Sequence, residues 1–315
     1  MSAPATRLPT SATRPRAWYA PLITHRYLYL MLVPGAVVLL IYRYLPMYGL
    51  TIAFKNFRLS RGIWRSPWVG FENFERFFNS PFFELIITNT VVISLLKLVF
   101  VFPVPIVLAL MLNEVRANWY KRGVQTVLYL PHFLSWVVIG HLAVVFLAPQ
   151  TGVITNLLRD TIGLAPNMLM DPASFRGTLV LTDIWKEAGW GTIIFLAALA
   201  GVDPDLYEAA TIDGARKLQQ IWYITLPSIL PVVVIIFILR IGNILDAGFE
   251  QIFILQNPVV YDVSEILDTY TYRAAFQEGQ YSIGATVGFF KSVVGLAMVL
   301  AANWAIRKVG EEGVF

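Results

Sequence analysis

Six stretches of this chain, at 29–50, 85–112, 123–148, 177–201, 221–248 and 283–306, are apolar over lengths sufficient to cross a bilayer, which takes roughly 20 helical residues at 1.5 Å rise each. Amides in hydrocarbon have no water to bond, so such runs must fold as helices that satisfy their own backbone. The fold class that follows is all-α: a polytopic membrane protein of six transmembrane helices. With 57% hydrophobic and 14% charged residues, the 315-residue chain is poorly described as two soluble domains. It contains no cysteine, which removes disulfides, thiolate nucleophiles and cysteine zinc sites together. A net charge of +4 in a soluble protein would suggest nucleic acid. Here the basic residues belong first to membrane flanks, and no nucleic-acid partner is expected.

Cations near the span ends set the orientation. With the N-terminus inside, the cytoplasmic side carries Arg7, Arg14, Arg16 and Arg26, then Arg116, Lys121 and Arg122, then Arg216 and Lys217, then Arg307 and Lys308. The outer side carries Lys55, Arg58, Arg61, Arg65, Arg76, Arg159, Arg176 and Arg273 over longer loops. The positive-inside rule then puts both termini in the cytoplasm, with the first outer loop dissenting. That loop holds Trp64, Trp68, Phe71, Phe74, Phe77 and Phe78 and reads as an interfacial segment with rings at headgroup depth. The organisation expected is a basic tail at 1–27, a transmembrane domain at 28–308 and a short tail at 309–315. The first run follows a basic Pro/Ser/Thr-rich tail and lacks a small-residue cleavage site after it, so it reads as a retained anchor. Pro34, Pro46, Pro103, Pro105, Pro131, Pro227 and Pro231 predict bent spans.

Polar side chains at membrane depth are functional suspects. In the fourth span Asp183, Lys186 and Glu187 share one helical face, where Lys186 can neutralise either acid. They are either a structural group near the interface or one wall of a hydrophilic path, with Trp185 and Trp190 offering faces for sugar C–H groups. Trp190, between Gly189 and Gly191, reads as unhindered. In the fifth, Arg240, Asn243 and Asp246 recur every third residue and predict a stripe facing protein or water. They could bind hydroxyls and a carboxylate, or Arg240 and Asp246 could be a packing pair. Lys97 and Lys291 are further candidates, each able instead to snorkel. His132 and His141 point opposite ways and cannot share a metal, so each reads as a hydrogen-bonded interior residue. No Gly-Lys dipeptide occurs, which excludes the phosphate loop G-x-x-x-x-G-K-[ST], and neither G-x-S-x-G nor H-E-x-x-H is present. No catalytic residue, metal or cofactor is assigned to this chain.

The segment 201–222 between the fourth and fifth spans reads as helix, Gly turn, helix. Asp203 is a good N-cap, Pro204 suits the first helical position, Asp205 and Glu208 complement the dipole, and Gly214 can stop the helix in the left-handed conformation. Within it, Glu208-Ala209-Ala210, three residues, Gly214, nine residues and Ile224-Thr225-Leu226-Pro227 resemble the EAA signature of membrane subunits of binding-protein-dependent ABC importers. Tyr44-Leu45-Pro46-Met47-Tyr48-Gly49, Trp185-Lys186, Gly189-Trp190-Gly191-Thr192 and Gly242-Asn243-Ile244-Leu245 are similar to the carbohydrate branch of these permeases. So are Gly248-Phe249-Glu250-Gln251, Asp268-Thr269-Tyr270 and Tyr272-Arg273, above all to subunits serving oligosaccharides released from polysaccharides, alginate among them.

The resemblance implies the type I importer permease fold in a bacterial inner membrane. It also implies a second homologous permease subunit, an extracytoplasmic sugar-binding protein and two cytoplasmic ATPase subunits that carry ATP and Mg. Glu208, Ala209, Ala210, Asp213 and Gly214 would form the coupling helix that docks on an ATPase. The outer segment 256–282, with Tyr261, Asp262, Glu265, Asp268, Tyr270, Tyr272, Glu278 and Tyr281, reads either as a solvated loop or as the face receiving the binding protein. The alternative from another class is a self-contained, ion-gradient-driven transporter using Asp183, Glu187 and Asp246, for which no inverted halves are visible.

Overall fold

The structure, a computed structural model, describes residues 25–163 and 167–308. Both tail expectations, with Arg7, Arg14 and Arg16, fall almost wholly outside those residues. The chain divides after Thr51 into two units. The first is helical: α1 (Arg26–Leu39) passes through a π turn (Leu40–Tyr44) into a 3-10 stretch that starts at Leu45. The whole helical run Arg26–Phe54 is apolar enough to cross a membrane and buries none of its most apolar window, which leaves that surface for lipid or protein.

The second unit contains no strand among the described residues, only one isolated bridge between Lys55 and Trp68. Its helices are α2 (Glu72–Phe78), α3 (Phe83–Leu96), α4 (Pro103–Glu114), α5 (Asn118–Tyr129), α6 (Trp136–Leu147) and α7 (Val153–Ile162). Then come α8 (Pro172–Ala200), α9 (Pro204–Ile212), α10 (Lys217–Gln220), α11 (Leu226–Gly242), α12 (Phe249–Leu255), α13 (Leu267–Tyr272) and α14 (Tyr281–Lys308). Among the described residues four helical runs are long and apolar enough to span a bilayer: Arg26–Phe54, Phe83–Glu114, Lys217–Gly242 and Tyr281–Lys308. A bent pair supplies a fifth. The remaining expected span, the fourth, is α8, long enough at 29 residues, but Arg176, Asp183, Lys186 and Glu187 make it less apolar than the others.

Three spans accommodate their prolines through a common device. Single π turns at Leu40–Tyr44, Lys97–Val101 and Ile221–Thr225 precede Pro46, Pro103 and Pro227. A proline lacks the N–H and its ring crowds the carbonyl four residues back. A wider turn moves the bond one residue further, as in Phe102 N–H to Lys97 O at 3.2 Å.

Two spans depart from the sequence reading. The third is not one helix: Pro131 opens a 3-10 turn (Leu130–Phe133), Leu134 is extended, and Ser135 caps α6 by accepting from Val138 N–H at 3.4 Å, giving a 104° break. The fifth ends at Gly242 rather than Asp246 or Gly248, because residues 243–245 turn. The expected every-third-residue stripe is therefore not helical beyond Arg240.

Burial corrects two loop expectations. Phe74 and Phe77 are buried, at 9% and 1% exposure, and pack against Phe289 and Phe290 of α14, so only Trp64, Trp68, Phe71 and Phe78 are left at the surface. In the outer segment Glu265 is buried and pairs with Arg273 at 3.2 Å, while Asp268 bonds Lys291 at 2.7 and 2.9 Å. Burial pushes the Glu265 carboxyl up from the usual range, against the pull of Arg273. Asn89 of α3 donates to Asp262 O and Glu265 O, and Arg176 of α8 donates to Asn89 Oδ1 and Val263 O. This segment is thus folded against the bundle and is not a solvated loop, with Tyr261, Asp262 and Glu278 facing out.

Three apolar clusters hold the unit together. Phe175 and Leu179 of α8 join Ile93, Leu147 and Ile252; Phe77 joins Ile86, Leu267 and Val287; Ala109, Phe195, Leu199 and Ile229 knit α4, α8 and α11. Glycines let α8 close on its neighbours. A Cβ at Gly189 would collide with the carbonyl of Leu128 in α5, and one at Gly191 would lie 2.9 Å from the Pro105 ring.

Candidate functional site

A cavity of about 470 Å³ opens between α3, α6, α8 and α11. Lys97, Asp183, Glu187, Arg240, Asn243 and Asp246 line it beside Trp136 and Gly248. Charges in so enclosed a space are tolerated when paired. Lys97 Nζ lies 3.2 Å from Asp183 Oδ2 and donates to Gln251 Oε1 at 2.6 Å. Gln251 in turn donates to Leu179 O and Thr182 Oγ1, both at 2.7 Å. Gly248 sits against this group at φ +95°, where a Cβ would meet Lys97 Nζ at 2.6 Å, so both backbone and space call for glycine.

Of the two acids its spacing allowed, Lys186 takes Glu187 and leaves Asp183. It is buried, 3.2 Å from Glu187 Oε1, donates to His132 O at 2.9 Å and lies over the Trp136 ring at 5.5 Å. Asp183 is served from another span by Lys97, which is a wall residue with a fixed partner and does not snorkel. Glu187 Oε2 accepts from His132 Nδ1 at 2.8 Å. His132 is thus hydrogen-bonded and half-buried, as its position suggested, whereas His141 is exposed and not an interior residue, its ring bonding Val137 O. Among the described residues no group of acids and histidines is placed to hold a metal.

The structure brings Glu187, Arg240, Asn243 and Asp246 to the cavity and keeps Trp185 out. Trp185 lies two residues from both Asp183 and Glu187, about 200° around the helix. It lines a separate apolar groove with Phe146, Met168 and Leu181. Trp190 is not unhindered: its indole stacks on His132 with centroids 4.6 Å apart and planes 4° apart, and borders a smaller cavity of about 110 Å³ with Glu187 and Arg240. Asn243 Nδ2 donates to Leu239 O at 2.9 Å. Asn243 and Asp246 also border a cavity of about 430 Å³ between α11 and α14. No packing pair joins Arg240 to Asp246: the Arg240 side chain is exposed to the cavity and has no hydrogen bond or ion pair among the described residues. Sequence reasoning left out Ser94, Trp136 and Gly248 from the wall and Gln251 behind it. A lysine alone in the middle of an apolar span was the one signal that pointed toward Lys97.

At the other end of α8 lies the short helix α9. Asp203 Oδ1 accepts from Asp205 N–H at 3.0 Å and Pro204 takes the first helical position. Gly214, at φ +78°, ends the turn with no neighbour within 4 Å of an added Cβ. Glu208, Ala209, Asp213 and Gly214 are exposed and Ala210 is half-buried. Glu208 has no ion pair among the described residues. Two bonds brace α9 to the entry of the fifth span: Tyr207 OH to Thr225 Oγ1 and Gln220 Nε2 to Thr211 Oγ1, each 3.0 Å. These braces were not foreseen, since eighteen residues separate Tyr207 from Thr225. Leu206, Ile212, Leu218, Trp222 and Tyr223 are exposed around them.

Comparison with known proteins places this geometry. The family described as binding-protein-dependent transport system inner membrane component matches residues 101–311. The chain is 46% identical to Protein LplB of Bacillus subtilis (strain 168) over 95% of its own length and 94% of that protein. It is 47% identical to the polygalacturonan/rhamnogalacturonan transport system permease protein YteP of the same organism, over 93% and 92%. A solved bacterial alginate ABC transporter, in complex with an alginate pentasaccharide-bound periplasmic protein, contains a chain that superposes with a TM-score of 0.86 at 40% identity, covering 94% of this chain and 99% of that one. The chain belongs to the binding-protein-dependent transport system inner membrane component family and is a carbohydrate permease subunit of a type I ABC importer.

Proposed function

We propose that this permease subunit imports acidic oligosaccharides and is driven through α9 by ATPase subunits on the cytoplasmic side. The observation that carries the substrate reading is the Arg240 guanidinium, which faces the main cavity with no partner among the described residues. An unpaired guanidinium facing a cavity is a strong attractor for a carboxylate, with a fork geometry that matches it. The polygalacturonan/rhamnogalacturonan permease and a solved importer of the acidic polysaccharide alginate support the same reading. Uptake of a galacturonate trisaccharide tests it: Arg240→Met should raise KM about tenfold, the worth of one charge-assisted hydrogen bond. An unchanged KM would refute it.

The coupling reading rests on α9 being exposed, capped and braced. Small residues at 209, 210 and 214 let a partner backbone come close, and Glu208 offers a carboxylate to a basic cleft. ATP and Mg then belong to the partner ATPases, a second homologous permease completes the path, and a binding protein delivers sugar from outside. Both termini lie in the cytoplasm in this reading. ATP binding closes the motor, α9 moves with it, and the Tyr207–Thr225 and Gln220–Thr211 bonds carry the motion into α11, which holds Arg240 and ends at Asn243.

A further inference from the structure

Glu187 and Arg240 line the same two cavities, the large one between α3, α6, α8 and α11 and the smaller one beside Trp190. Opposite charges facing one cavity attract. An Arg240–Glu187 pair would cancel the charge that the acidic-substrate reading requires, yet no such pair forms. Both Glu187 oxygens are instead held elsewhere: Oε2 by His132 Nδ1 at 2.8 Å and Oε1 by Lys186 Nζ at 3.2 Å.

The holders are themselves fixed. Lys186 is anchored on His132 O at 2.9 Å and over Trp136 at 5.5 Å. The His132 ring lies flat on Trp190, 4.6 Å between centroids. His132 comes from the 3-10 turn that breaks the third span by 104°. The break gives a polar ring and a free carbonyl a place beside α8 that a straight helix would not. Of the other charges on the cavity wall, Lys97 and Asp183 satisfy each other, and Asp246 lies past the end of α11 with Oδ1 3.4 Å from Gly248 N.

We propose that His132 and Lys186 are positioning residues that hold the Glu187 carboxylate away from Arg240 and so keep the guanidinium free for an anionic sugar. This rests on the acidic-substrate reading only for its purpose; the charge partition stands by itself. Phenylglyoxal, which modifies unpaired arginines, tests it in the assembled transporter with Arg240 read by peptide mass spectrometry. Arg240 should react readily in the unmodified protein, about tenfold more slowly in His132→Ala once Glu187 swings onto it, and readily again in His132→Ala/Glu187→Gln. His132→Asn, which keeps a donor near the Nδ1 position, should behave as the parent. Lys186→Met, which removes the other hold, gives the same comparison if His132→Ala does not assemble. Equal reactivity of Arg240 in the parent and in the variants that release Glu187 would overturn the proposal. Uptake of galacturonate trisaccharide separates the two ideas. Slowed labelling with a raised KM supports both, whereas slowed labelling with unchanged KM leaves the clamp standing and removes the acidic substrate.

Discussion

Lys97 and Asp183 face each other at 3.2 Å with side chains only 14% and 11% exposed, each the charge partner of the other. Removing one strands the other in a medium that solvates it poorly. Lys97→Met should therefore lower stability by about 3 kcal/mol, seen as a lower thermal midpoint of the purified complex, while Lys97→Met/Asp183→Leu recovers most of it. If the double variant were no better than the single, the pair would not be the source of the loss. Such residues were only half legible beforehand. A charge inside an apolar run shows in the sequence, so Glu187, Arg240 and Asp246 stood out. Which charge neutralises which depends on distances across helices, and spacing along α8 therefore gave Lys186 a reach it does not have. Trp185 was misread for a related reason: a wide ring near a polar cluster invites a sugar, but its angle around α8 turns it toward Phe146 and Met168.

At the scale of elements, α9 was readable because caps are local chemistry: Asp203, Pro204 and Gly214 act within a turn of themselves. Pro131 announced a bend in the third span but not the full break at Leu134, and nothing announced the stop at Gly242, because hydropathy continues through both. Val137 and Ile244 are as apolar as what precedes, and only the backbone at Leu134 and at residues 243–245 shows where a helix has stopped. The braces of α9 make a prediction. Tyr207→Phe removes one hydroxyl and no ring, so assembly should persist while sugar uptake per ATP hydrolysed falls by several-fold. Unaltered stoichiometry would show that the bond carries no motion. Gly189→Val tests the contact of α8 with α5, since its side chain has no room beside the Leu128 carbonyl. The expected result is a complex that assembles poorly or melts early, at a cost in the range of overpacked sites, about 1–3 kcal/mol or more.

For the whole molecule, membership of the importer family sets aside the gradient-driven alternative, and the proposed function gives the polar cavity and α9 a common purpose. The cavity is lined by residues of α8 and α11, the two helices that the α9 segment connects, so in the proposed mechanism a push on the exposed loop would reach the cavity wall through a few bonded residues. That mechanical link is the central claim. The chain has no cysteine, so one introduced in place of Ala209 is a unique handle. The decisive measurement is cross-linking from that position in intact cells, with and without trapped ATP. The account predicts capture of an ATPase subunit, with a yield that changes on ATP binding, and none from a cysteine placed at the outer-segment residue Asp262. An importer fully active in uptake that never joined its ATPase through position 209 would contradict it.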